Sequence, residues 1–475
     1  VTWPGTQVGG ADGGPAHPWG TSVRVFVQAG LAAGRNWHMG PHPQDALDAG
    51  NVMGHVTEGT GSGGLWVDLA CDCISVEVDD GATSSAGIFA RDEAATLDVL
   101  VYDPQRLYDP LNSASPYWYK GKSRLTAGTP LRVFVEVLNA AGTGVVSYTL
   151  FNGTADRWMA QIEPVSQERR TRITATGAIK AMVAQDYAEL ASPVGDGDTT
   201  AQRLARLVSY FNYTQGPLVQ GDSGVSGVTL QGSTLAQSMW EMLNRCIDDE
   251  LGYLHVLPNG TIRWWSRNTW FSLPPTALTV GCKPGVSAFD IVTDTTMGAA
   301  DEQLRNAVYA ARAGGTQQVA KSQPSIAAHG GIESTLNRTD LGLRDDAQVA
   351  TWAGQIVMLY AYPQPAPVSL SLLPAVHGET DGHIWRAVLG TRFIDDGVRL
   401  VWTPTDSAAL DQVLRVYGAK HTIDANGWRI DWSLIPAQLT PGNVWHMGPH
   451  PFDRLDSGNV MGFVKTGALA QEVAA

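Results

Sequence analysis

The sequence predicts a β-rich α+β protein in which two β domains are interrupted by α/β insertions and flanked by terminal arms. Three observations predict it. Two long regions alternate apolar and polar residues with a period of two, as strands with one buried face do. Between them, apolar residues recur every three or four positions, as on one face of a helix. The 52 glycines among 475 residues supply the turns that many short strands need.

A chain of this length exceeds one hydrophobic core and divides into several domains. With 44% hydrophobic and 16% charged residues it can fill those cores, where a disordered chain is more polar. Residues 1–20 are rich in Gly and Pro and read as an arm. S-V-R-V-F-V-Q (22–28) is a short strand, and G-T-G-S-G-G (59–64) a linker. The segments L-W-V-D-L, I-S-V-E-V, A-T-L-D-V-L-V-Y, L-R-V-F-V-E-V-L and V-V-S-Y-T-L-F-N-G then alternate up to about residue 165, which suits an antiparallel barrel or sandwich.

The texture then changes. Over 199–211, Leu204, Leu207, Val208 and Phe211 share a helical face. Over 233–252, Leu235, Met239, Met242, Leu243, Cys246 and Ile247 do the same, with Ser233 as N-cap and Gly252 as stop. Y-L-H-V-L-P-N-G-T-I-R-W-W (253–265) is a hairpin turning on Asn259-Gly260. Strand texture resumes at 304–311, and a helix is expected at 345–360 from Val349, Trp352, Ile356, Val357 and Leu359. Alternation returns at 366–373, 383–390, 397–402, 412–423 and 428–434. The division is an N-terminal arm, 1–60; a first β domain, 61–165; an inserted α/β domain, 166–295; a second β domain, 296–437, with a helical insertion near 325–362; and a C-terminal arm, 438–475.

The formal net charge of −14, with no basic tail, argues against tight nucleic-acid binding, which needs clustered Lys and Arg. No apolar run approaches the roughly 18 residues of a membrane span, and no charged-then-apolar leader suggests secretion. Four cysteines do not make a disulfide scaffold at this length. Cys71 and Cys73 flank Asp72 in an expected strand, without good bridging geometry, and read as small buried thiols.

Catalytic motifs fail on context. G-D-S-G (221–224) surrounds a nucleophile in chymotrypsin-like proteases, but there the histidine precedes the serine. Here Ala327-Ala328-His329 follows Ser223, and the segment reads as a turn. The acid pairs Asp79-Asp80, Asp248-Asp249, Asp345-Asp346 and Asp395-Asp396 mostly precede Gly or open a helix, where Asp caps backbone donors. Trp264, Trp265 and Trp270 offer a carbohydrate platform, though alternation favours core packing. No Walker loop, dinucleotide fingerprint or zinc-protease motif occurs. No catalytic residue, cofactor or metal is assigned, and the chain is expected not to be an enzyme.

One phrase occurs twice. W-H-M-G-P-H-P-Q-D-A-L-D-A-G-N-V-M-G (37–54) returns as W-H-M-G-P-H-P-F-D-R-L-D-S-G-N-V-M-G (445–462), identical at 15 of 18 positions. The histidines are four apart, but the Gly-Pro between them disfavours a helix that would align them on a metal. A metal would require separate loops to converge. The phrase reads instead as a Pro-ordered docking loop, with an interface formed by Trp37, His38, Met39, His42, Leu47, Asp48, Asn51 and Met53 in one copy. Trp445, His446, Met447, His450, Leu455, Asp456, Asn459 and Met461 form it in the other.

The run A-T-L-D-V-L-V-Y-D-P-Q-R-L-Y-D-P-L-N-S-A-S-P-Y (95–117) resembles a phrase of minor tail proteins from actinobacteriophages with long non-contractile tails, the tail-hub or baseplate-hub family. Segments 250–267, 312–330, 345–353 and 427–437 are similar to later parts of that family in the same order. Physically, 95–117 is a strand ending in a Pro-rich loop that offers Leu107 and Tyr108 for burial.

The resemblance implies two hub-type β-barrel domains with α/β insertions, assembled as a homotrimer whose six barrels make a pseudo-sixfold ring. It implies a structural role at the virion's tail tip, assembled in the host cytoplasm, between sixfold tail and threefold tip. Partners would be a distal tail protein ring or tail tube, the tape measure protein and other tip or fibre proteins, with phage DNA in transient passage. The two phrases would then give six near-equivalent docking loops. The rival expectation is a carbohydrate-active or receptor-binding tail-tip protein.

Overall fold

The period-two segments form strands in the computed structural model, which describes residues 23–31, 57–58, 65–82, 91–119, 121–162, 168–185, 189–222, 227–281, 289, 291–298, 304–362, 366–377, 382–402 and 410–437. In Pro130–Leu138, Leu131, Val133, Val135 and Val137 are buried while the residues between them face outward. One ladder path runs from Val292–Gly298 through Ala366–Leu372, Gly427–Pro436, Leu410–Asp424, Cys73–Gly81 and Glu93–Tyr102. It continues through Arg169–Gly177, Val145–Ile162, Pro130–Leu138, Val23–Leu31 and Leu65–Asp68 to Thr57–Glu58. Gly397–Trp402 pairs off this path with Leu410–Asp424 and carries Thr276–Val280 beside it. Every described ladder of this sheet is antiparallel except that between Thr276–Val280 and Gly397–Trp402.

The expected pair of closed barrels is not what the described residues form. Their path is one open, antiparallel-dominated sheet with two ends. The cause lies in the 15-residue strand Leu410–Asp424. Its first half pairs with Gly397–Trp402, while its second half pairs with Cys73–Gly81, from Gly418↔Gly81 to Ile423↔Val76. The second β region thus continues into the first. One apolar core, from Val23 to Leu434, lines both.

Helical segments and short strands build a second core. Thr200–Tyr210 starts at a capping box of Thr199 and Gln202, and Asp346–Tyr360 is capped by Asp345, both where the sequence places them. Met239–Glu250 begins later than expected: Ser238 is its N-cap, because Ser233 pairs with the Val194 backbone and Leu235 adopts a φ of +54°. The segment 383–390, expected as a strand, is the helix His383–Leu389. Ile384, Trp385 and Val388 form its buried stripe, between Gly382 and Gly390. The expected hairpin at 253–265 is present, with Gly260 at a φ of +82°. A three-stranded sheet, Gln318–Lys321, Ala307–Arg312 and Thr335–Leu341, packs on Asp346–Tyr360. Glu250 is the polar node of this unit: buried, it accepts from Thr200 Oγ1 at 2.7 Å and Arg267 N at 3.2 Å.

Candidate functional site

The two β regions and the α/β unit meet at one seam. It begins at Gly81 and Gly418, paired across the joining ladder. A Cβ on Gly81 would sit 2.5 Å from the Tyr417 carbonyl oxygen, and one on Gly418 would sit 2.3 Å from that of Ala82. Gly81 also has a φ of +88°, open to glycine at low cost. The backbones therefore approach closely enough for Ala82 N–H to donate to Tyr417 O at 3.0 Å.

The hairpin Tyr253–Val256 and Ile262–Trp265 docks on this seam. The Tyr253 hydroxyl donates to the same Tyr417 carbonyl at 3.0 Å. His255 Nδ1 lies 3.0 Å from Asp92 Oδ1, its Nε2 lies 3.9 Å from Asp80 Oδ2, and all three residues are buried. The second Asp92 oxygen accepts from Val256 N–H at 2.9 Å. Burial alone would lower the His255 pKa, but the Asp92 and Asp80 carboxylates outweigh it and hold it up to about 9. Burial pushes the Asp80 carboxyl up to about 7 against the pull of His255, with Asp92 adding to the rise.

A second pin uses Arg415, 2% exposed. Its guanidinium donates to the carbonyls of Ala437 at 2.9 Å, Thr269 at 2.9 Å, Ser272 at 2.6 Å, and Ile394. One side chain thus ties the closing strand, the loop before Gly397 and the turn after the hairpin. Beside it, Asp395 accepts from Trp265 Nε1 at 2.7 Å and pairs with Arg263 at 2.5 Å.

The His255–Asp92 pair has the arrangement of a base and its orienting carboxylate. Its second nitrogen faces Asp80 rather than a hydroxyl or thiol, and the group is sealed from solvent. Its chemistry is that of a clamp between layers.

Both copies of the repeated phrase, with every interface residue expected in them, lie outside the described residues, as does Ser223. Asp222 accepts from the Ser266 and Thr269 hydroxyls at 2.6 and 2.9 Å, which gives it a structural post. Trp264, Trp265 and Trp270 are buried and offer no platform. Cys73 and Cys246 are buried, and the Cys73 thiol donates to the Leu69 carbonyl at 3.2 Å. Asp345 opens a helix as expected. Asp80, Asp249 and Asp395 instead hold seam or insert contacts, Asp249 by accepting from Gly342 N–H at 3.0 Å. Among the described residues no cluster of His, Cys, Asp or Glu is placed to hold a metal, and no helix is long and apolar enough to cross a membrane.

In the loop after Glu93–Tyr102, Asp103 accepts from Leu107 N–H at 2.5 Å, Tyr108 N–H at 3.0 Å and Thr171 Oγ1 at 3.0 Å. Tyr108 is buried and donates to Asp72 at 2.6 Å, while Leu111 stands 80% exposed.

Asp92, His255 and Arg415 were not singled out in the sequence, and Asp80, expected to cap a turn, faces His255 across the seam instead. A signal existed: His255 and Arg415 are lone polar residues inside the apolar phrases Y-L-H-V and V-L-R-V-Y.

With this geometry in hand, solved structures offer a match. The tail protein from Neisseria meningitidis MC58 superposes with a TM-score of 0.50 at 12% identity, over 76% of this chain and 91% of that one. The chain has the fold of a tail protein. The prophage MuSo2 43 kDa tail protein from Shewanella oneidensis aligns at 12% identity and a TM-score of 0.47, over 79% and 96% of the two chains. Prophage tail protein gp18 from Listeria monocytogenes aligns at 10% identity and 0.42, over 78% and 90%. No family model and no curated protein matches the chain.

Proposed function

We propose that the chain is a structural, non-enzymatic subunit of a phage tail tip: a hub-type homotrimer that adapts a sixfold tail to a threefold tip and lets DNA pass. The observation that carries this reading is the fold shared with the Neisseria tail protein over most of both chains. The pinned seam supports it, because a symmetry adaptor must hold its two β regions at a fixed angle. In this reading each β region contributes one sector of a ring, so three chains give six sectors. The phrases at 37–54 and 445–462 present six docking loops to a distal tail protein ring or tail tube. The tape measure protein and other tip or fibre proteins are the remaining partners.

The subunit resides at the tip of the virion after assembly in the host cytoplasm. Antibody against the purified chain, imaged on phage particles by electron microscopy, should label the tail end distal to the capsid. Label along the whole tube or on the capsid would refute the placement. Incubation of the purified chain with host cell wall should release no sugar above buffer; steady release would restore the carbohydrate-active alternative.

A further inference from the structure

The seam is pinned in two chemically different ways. Arg415 holds its carbonyls with a guanidinium, whose pKa burial lowers to about 10, still above that of the imidazole, so it keeps its charge while the imidazole titrates. The other pin is an imidazole between two carboxylates, and an imidazole can lose its charge. We propose that His255 is a protonation-keyed latch: its imidazolium seats the hairpin 253–265 on the sheet. Loss of that proton leaves Asp80 and Asp92 facing each other in a buried site and unseats the hairpin, while Arg415 keeps the other side attached.

The surroundings set the direction. From Cys73–Gly81 come Asp80 and its neighbour Asp79; the approach to Glu93–Tyr102 supplies Asp92; Ile262–Trp265 supplies Arg263, itself paired with Asp395. From the loop before Gly397–Trp402, the Phe393 ring packs on the imidazole at 4.9 Å. Leu410–Asp424 supplies Tyr417, whose phenol is pushed up to about 12 by burial, and Tyr253 titrates well above its ordinary value for the same reason. Both phenols stay neutral while the latch titrates. The folded-state pKa of His255, about 9, exceeds its ordinary value of 6.5. Its stabilisation is therefore complete below about pH 6.5 and disappears as pH rises through about 9. Ionisation of Asp80 near pH 7 adds a second negative charge on the way, so the seat loosens toward alkaline pH.

Hydrogen exchange of the full chain between pH 6 and pH 9.5, corrected for intrinsic exchange rates, tests the latch. Peptides over 253–265 and 91–97 should lose at least tenfold protection relative to peptides over 130–138, an internal reference in the same sheet. In Asp80→Asn only one carboxylate is stranded, and the loss should shrink at least threefold. A protection ratio that stays constant with pH in the wild-type chain overturns the latch, as does an Asp80→Asn chain with an undiminished loss.

Discussion

At His421 the sheet carries a histidine of the opposite kind. It points into the core shared by the two β regions, with the Trp428 ring edge-on at 5.9 Å. Its Nδ1 has no hydrogen-bond partner. Burial lowers its pKa to about 4, only partly offset by Asp431. The unfolded chain therefore takes up this proton first as pH falls. The His421 contribution to stability is unchanged above about pH 6.5 and falls away down to about pH 4. The loss amounts to about 3 kcal/mol at about 1.4 kcal/mol per unit. Urea unfolding at pH 7 and pH 4.5 should show the wild-type chain losing much of that amount relative to His421→Leu, because the raised Asp80 carboxyl acts in the opposite direction equally in both chains. An equally steep decline in the variant would show that other groups set the acid limit. At Gly81, the cost is steric. Gly81→Ala forces a Cβ against the Tyr417 carbonyl at a positive φ, which costs about 2–3 kcal/mol. An unchanged unfolding midpoint would show that the seam can spread.

Elements differ in how plainly the sequence announces them. Thr200–Tyr210, Asp346–Tyr360 and the strands Glu93–Tyr102 and Pro130–Leu138 are legible because propensity, cap and periodicity agree. His383–Leu389 is not: at seven residues, Ile384-Trp385 followed by Val388 fits either period. Strand Arg169–Gly177 hides because Arg and Thr fill its solvent face, leaving Ile173 and Ala175 as its apolar residues. The pairing of Leu410–Asp424 with Cys73–Gly81 cannot be read from either segment. It depends on two glycines more than 300 positions apart in the chain. Among element-joining residues Arg415 is the sharpest test. Arg415→Met keeps the side-chain bulk but strands four carbonyls, three of them between 2.6 and 2.9 Å from the guanidinium. Losing such a buried charged donor costs about 3–5 kcal/mol. Limited proteolysis should then cut near 269–275 faster than in the wild-type chain; equal cutting rates would contradict its role as a pin.

For the molecule as a whole, the seam explains how a chain with two cores behaves as one unit. A single sheet spans both β regions, and the α/β unit is fixed to their junction by Tyr253, His255, Asp395 and Arg415. Rigidity of this kind suits the proposed symmetry adaptor, and the tryptophans at 264, 265 and 270 serve as core residues. In the sequence the repeated phrases follow Val23–Leu31 and Gly427–Pro436. In the proposed ring they would be the same contact presented twice per chain. The mass and averaged electron-microscope image of the purified chain test the proposed trimeric hub. The expected result is a trimer of about three times 50.7 kDa, seen end-on as a threefold ring with a central pore. A monomer, or an oligomer without a threefold axis, would contradict it.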